Sequence, residues 1–90
     1  MQREIQIGSV VQSTLGKDSG RLYLVIGVTS TRVEVVDGKF RKINRTKLKN
    51  KKHIKVIISK GEKTLAERII KGEAVSNRGI QKVLAEKEKI

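Results

Sequence analysis

The sequence predicts a mainly β fold: a small barrel or orthogonal sandwich of about five strands, followed by one or two C-terminal α-helices. Three observations predict it. Short runs rich in Val, Ile and Leu fill residues 5–59 and are separated by turns that carry glycine. After Ser59 the apolar period changes from two to the helical spacing of Leu65, Ala66, Ile69 and Ile70. A length of 90 residues with 37% hydrophobic content suits one domain with a modest core.

The first strand is expected between Ser9 and Thr14, around Val10 and Val11. The cluster Gly16-Lys17-Asp18-Ser19-Gly20 then reverses the chain. Arg21 to Thr29 is the second strand. Leu22, Leu24 and Ile26 alternate with Tyr23 and Val25, so both of its faces are apolar and it belongs at the centre of a sheet. Gly27 inside it predicts a bulge or bend. Arg32 to Val36 is the third strand, with Val33 and Val35 inward. Asp37-Gly38 signals a hairpin, and Lys39 to Ile43 is expected to return as a fourth strand with Phe40 and Ile43 inward.

Residues 44–53 hold one aliphatic side chain, Leu48, and are expected to form an exposed basic loop. Ile54 to Ser59 is the fifth strand, with Ile54, Val56 and Ile58 on one face. Ser59-Lys60-Gly61-Glu62 has the form of a capping box ahead of the first helix, and Gly72 ends that helix. Ser76 or Asn77 caps the second, which carries Ile80, Val83 and Leu84 on one side. The chain thus divides into a barrel at 1–59, with its basic loop at 44–53, and a helical C-terminal extension at 60–90.

Charge is distributed unevenly. Residues 39–55 contain nine Lys or Arg side chains and no Asp or Glu, out of a net charge of +12. They are Lys39, Arg41, Lys42, Arg45, Lys47, Lys49, Lys51, Lys52 and Lys55. Residues 1–38 are electrically balanced. A neutral scaffold followed by a cationic strip points to a polyanion as partner. The dominance of Lys favours phosphate tracking over base reading. Contact with about five phosphates would give log K against log salt a slope of roughly −3.5 to −4.5. Tyr23 and Phe40 are the only aromatics, too few to supply a base-stacking platform, and both are expected to be needed in the core. Bulky apolar groups do not interleave with the strip, which argues against a lipid surface.

Several classes of function lose support. Cysteine is absent, which removes disulfides, thiolate catalysis and zinc-ribbon sites. No apolar run approaches the roughly 18 residues of a membrane span. The first residues lack the apolar stretch of a secretory signal, so the cytoplasm is the expected address. The Gly16–Gly20 cluster is followed by a strand, not by the helix that a phosphate-binding P-loop opens. His53, the sole histidine, has no acidic neighbour in sequence, and Asp37 sits in a turn context. Neither marks a catalytic pair. No enzyme activity, cofactor, metal or small-molecule substrate is expected.

Three segments carry a family resemblance. Ile7-Gly8-Ser9-Val10-Val11, Gly16-Lys17-Asp18-Ser19-Gly20-Arg21 and Val25-Ile26-Gly27-Val28 resemble the KOW motif of ribosomal proteins and transcription elongation factors. In those proteins the motif lies within an SH3-like β-barrel, and Gly20 matches the motif glycine. Val33 to Gly38, Arg41 and Lys52-His53-Ile54 extend the likeness to large-subunit ribosomal protein fourteen-e. They also extend it to bacterial KOW-domain RNA-binding proteins similar to the fourteen-e, six-e and twenty-seven-e ribosomal proteins. The resemblance spans residues 7–59.

It implies RNA binding, with ribosomal RNA as the first candidate and ribosomal proteins as further neighbours, by a chain that is monomeric when free. It places Lys17 and Arg21 on the motif loop and Arg41, Lys42, Arg45 and Lys47 on the RNA-facing strand and loop. Lys39, Lys49, Lys51 and Lys52 complete the candidate surface from the charge strip. Gly16, Gly20, Asp37 and Gly38 are the expected turn residues. The alternative is a KOW-type protein-interaction module of a transcription or translation factor, docking through Leu65, Ile69 or Val83.

Overall fold

Apolar side chains on both faces place Leu22–Val28 (β2) at the centre of a five-stranded antiparallel sheet. The computed structural model describes residues 5–59, 63–73 and 75–88. The other strands are Val10–Ser13 (β1), Arg32–Val36 (β3), Lys47–Asn50 (β4) and Ile54–Ile58 (β5), and the sheet order is β4-β3-β2-β1-β5. Helices Lys63–Ile70 (α1) and Asn77–Glu88 (α2) follow. The expected capping box at residues 59–62 lies largely outside the described residues.

Each face of β2 has its own core. Tyr23 and Val25 pack with Val11, Val33 and Val35, and Ile54 and Val56 join them from β5. Leu22 and Leu24 pack with Val10 and Val36 on the other face, under Val75, Ile80 and Leu84. The helices are therefore a second layer laid on the sheet and share its core. Burying side chains such as Ile80 and Leu84 contributes about 1.5–3 kcal/mol each.

Two irregularities shape the sheet. The β2–β3 register shifts between Val25 and Gly27. This is the bulge expected at Gly27, where an added Cβ would stand 2.9 Å from Glu34 Oε1, the movable end of a flexible side chain, and 3.3 Å from Glu34 Cβ. A second shift, between Val10 and Val11, breaks the β1–β5 register. It turns Ile58, together with Ile57, toward the helix-covered core, while Ile54 and Val56 face the other. The expectation that Ile58 shares a face with Ile54 and Val56 is corrected accordingly.

The fourth strand is not where the sequence pattern put it. Asp37 Oδ1 accepts the backbone N–H groups of Lys39, Phe40 and Arg41 at 2.9, 2.9 and 2.7 Å. Those donors are consumed locally and cannot form a ladder. Residues 37–45 are a succession of turns, and Phe40 and Ile43 are exposed. The strand is Lys47–Asn50, inside the segment expected to be a loop. It pairs with β3 through Glu34↔Leu48 and Val35↔Lys47. A 3₁₀ turn of three residues, Lys51–His53, then leads directly into β5. That short link joins the two outer strands of the sheet, so the sheet must curl for them to meet.

The helix ends follow their sequence signals. Gly72 adopts φ +74°. Its N–H donates to Ile69 O at 3.1 Å, and Glu73 N–H donates to Arg68 O at 2.8 Å. This is the paired bonding of a Schellman motif. Ser76 Oγ accepts from Gly79 N at 3.0 Å and caps α2. The start of α2 is also tied to the turn region: Asn77 Oδ1 accepts from Ile43 N at 2.8 Å, and Gln81 Nε2 donates to Gly38 O at 2.7 Å.

Candidate nucleic-acid interface

The site is organised around a carboxylate that the sequence placed only in a turn. Asp18 is buried. Its Oδ1 accepts from Lys49 Nζ at 2.8 Å and Ser13 Oγ at 2.9 Å. Its Oδ2 accepts from Tyr23 OH at 2.6 Å and Lys47 Nζ at 3.2 Å. Burial pushes the Asp18 pKa up, but the donors Lys49, Tyr23, Ser13 and Lys47 together outweigh it and hold the carboxyl well below the usual range. Burial, reinforced by the bond to Asp18, pushes the Tyr23 hydroxyl up to about 12.

This network reaches across the sheet. Ser13 ends β1, Tyr23 belongs to β2, and Lys47 and Lys49 belong to β4. Lys47 and Lys49 occupy the inward positions of an alternating strand, and Leu48 between them is exposed. The Lys49 side chain is only 9% exposed, so it is a structural cation.

Next to the network lies an open concavity of about 700 Å³ lined by residues from both halves of the polar sequence. Lys17 and Arg21 come from the Gly16–Gly20 turn, and Arg41 and Arg45 come from the turns after Asp37. The ends of Lys47 and Lys49 form the floor beside Asp18. Asp18 is the one carboxylate in the lining, and it is engaged by Lys47 and Lys49, the only ion pairs among the described residues. The rim is therefore cationic without a competing free acid.

Phe40 stands on the same rim, 63% exposed. The Arg21 guanidinium lies 4.2 Å from its ring centroid and Lys39 Nζ 5.2 Å. Asp37 fixes the backbone of the turn that carries Phe40, through the N–H groups of Lys39, Phe40 and Arg41.

The predicted residues thus separate into groups. Lys17, Arg21, Arg41 and Arg45 converge on the concavity, with Lys39 at its aromatic edge. Lys42 is exposed but is not among the lining residues. Lys51 and Lys52 occupy the 3₁₀ turn away from it. Lys47 and Lys49 are committed to Asp18. Of the turn residues, Gly16 lines the concavity, and Asp37 and Gly38 build the Phe40 turn. Gly20 adopts φ +93° with open space where a Cβ would stand, so backbone conformation requires glycine there and a side-chain clash does not.

Sequence reading missed the Asp18 network and the outward Phe40. The available signals were a lone acid within the glycine turn and a Lys-x-Lys alternation, read as loop because its alternate positions are charged and not apolar.

A scan of protein-family models and a search of curated proteins each find no match to this chain. Among the described residues no group of three or more His, Cys, Asp or Glu is placed to hold a metal, and no helix is long and apolar enough to cross a membrane. The chemistry the arrangement offers is anion binding by charge-assisted hydrogen bonds. Three of the four rim cations, Arg21, Arg41 and Arg45, are arginines, which can engage phosphate bidentately.

Proposed function

We propose that this chain is a nucleic-acid-binding β module whose ligand is RNA. Its sheet closes as an SH3-like barrel of the KOW type, and the RNA is ribosomal, bound by a cytoplasmic ribosomal or ribosome-associated protein. The convergence of Lys17, Arg21, Arg41 and Arg45 on one concavity carries the binding reading. The three-residue link between the outer strands and the glycine turn after β1 support the barrel. The choice of RNA over DNA rests on the resemblance of residues 7–59 to KOW proteins. The protein-docking alternative is disfavoured because Leu65 and Ile69 are packed against the molecule's own core.

Binding of a fluorescein-labelled RNA hairpin, followed by anisotropy at several salt concentrations, tests the reading. Arg41→Glu/Arg45→Glu should weaken the hairpin at least about tenfold and flatten the salt slope by roughly 1–2. Lys51→Glu/Lys52→Glu should cost clearly less. Equal losses in the two pairs, or no loss in the first, would overturn it. Co-sedimentation with ribosomes at low salt and release at high salt tests the ribosomal assignment.

A further inference from the structure

Phe40 separates the cationic concavity from a smaller hollow on its helix side. That hollow, about 360 Å³, is lined by Arg21, Leu22, Asp37, Lys39, Phe40, Gln81, Leu84 and Ala85, of which Leu22, Phe40, Leu84 and Ala85 give it an apolar wall. Its volume falls within the roughly 300–1,000 Å³ of small-ligand sites. We propose that this hollow is a subsite for one unpaired nucleobase, stacked on Phe40, of an RNA whose phosphates occupy the neighbouring cationic concavity. The inference rests on the RNA-binding reading and adds to it the kind of RNA recognised: one with a bulged or looped-out nucleotide.

Four features carry the inference. An exposed aromatic ring beside a phosphate-binding surface is the arrangement by which proteins take bases out of a strand. The Arg21 guanidinium lies over the ring, 4.2 Å from its centroid, and backs it as a cation–π partner. The backbone that carries the ring is fixed, because Asp37 Oδ1 accepts from the N–H groups of Lys39, Phe40 and Arg41. Hydrogen-bonding capacity for a base edge is present in the same wall: Asp37 and Gln81 both line the hollow. Gln81 spends its Nε2 on Gly38 O, which leaves its Oε1 as an acceptor for an exocyclic amine.

The magnitudes favour the base. Displacing the Lys39 ammonium from its 5.2 Å approach to the ring costs about 2- to 5-fold in affinity. A stacked base returns about 5- to 150-fold.

The test compares two RNAs of equal length and charge with the full chain: a blunt duplex, and the same duplex carrying one bulged adenosine, whose amine suits the Gln81 acceptor. The wild type should favour the bulged RNA by about tenfold or more. Phe40→Ala should abolish that preference, while Phe40→Tyr should retain it. Phe40 is exposed, so neither variant threatens the fold, and thermal melts check this directly. Equal binding of both RNAs by the wild type, or a preference that survives Phe40→Ala, overturns the base subsite while the RNA-binding reading stands. Failure to bind either RNA overturns both.

Discussion

Lys49 Nζ lies 2.8 Å from Asp18 Oδ1 across the curl of the sheet, with the two side chains 9% and 7% exposed. The pair joins β4 to the Gly16–Gly20 turn at a place where no backbone ladder connects them. A cation counted by sequence as ligand-binding is therefore part of what holds the cationic concavity in shape.

Removing the acid should be costly. Asp18→Ala leaves Lys49 buried without its counter-charge, with Lys47 beside it. Such a loss is worth about 3–5 kcal/mol. Urea unfolding should show a lowered midpoint with little change in slope. A loss below about 1 kcal/mol would mean the ammonium escapes to water and the network is only a surface contact.

Acid should unfold the protein through the same residue. The folded Asp18 carboxyl lies below its ordinary value of 3.8. Between those two values the unfolded chain holds a proton that the folded one does not, so stability falls as pH falls through that window. It is fully present above about pH 5. Asp18→Asn should flatten this limb of the stability curve.

Tyr23 predicts the opposite limb. Its hydroxyl is raised from 10.0 to about 12, so the folded state keeps a proton that the unfolded chain releases. The contribution is present below about pH 10 and is lost as pH rises toward 12. Tyr23→Phe should remove this part of the alkaline loss, measured as thermal midpoint against pH.

Two glycines with positive φ should respond differently to alanine. At Gly38, φ is +78° and an added Cβ would collide with the Asn77 carbonyl oxygen at the start of α2. At Gly20, φ is +93° and the space is empty. Gly20→Ala should cost about 1–2 kcal/mol for backbone conformation alone. Gly38→Ala should cost more and loosen the turn that presents Phe40. Equal costs in denaturant titrations would show that the helix simply moves aside.

Leu48 tests the inverted strand. Because it points outward and is 58% exposed, Leu48→Ser should change stability by no more than about 0.5 kcal/mol. Lys49→Ser, one residue on, should be clearly destabilising.

Period-two alternation made β2, β3 and β5 legible, β-forming residues marked β1, and the glycine and serine signals marked both helix ends after Ile70 and before Asn77. The errors share a cause. Reading strands by their apolar positions selects Phe40 and Ile43 and passes over Lys47 and Lys49, because it assumes that inward means apolar. Asp18 makes inward lysines favourable, and that pairing joins residues about thirty positions apart, beyond the reach of any local pattern. The bulge at Val10 and Val11 is likewise set by how β1 and β5 meet, so it could not be placed from the sequence of β5 alone.

The inward lysines of β4 bear also on self-association. This strand is the last in the order of the sheet, the position from which another chain could extend it. A second copy docking there would have to set its own inward side chains beside the ammonium groups of Lys47 and Lys49 and extend the sheet away from its curl. Charges turned inward on an edge strand oppose such growth. The lysines that restrain Asp18 thus also disfavour growth of the sheet from this edge.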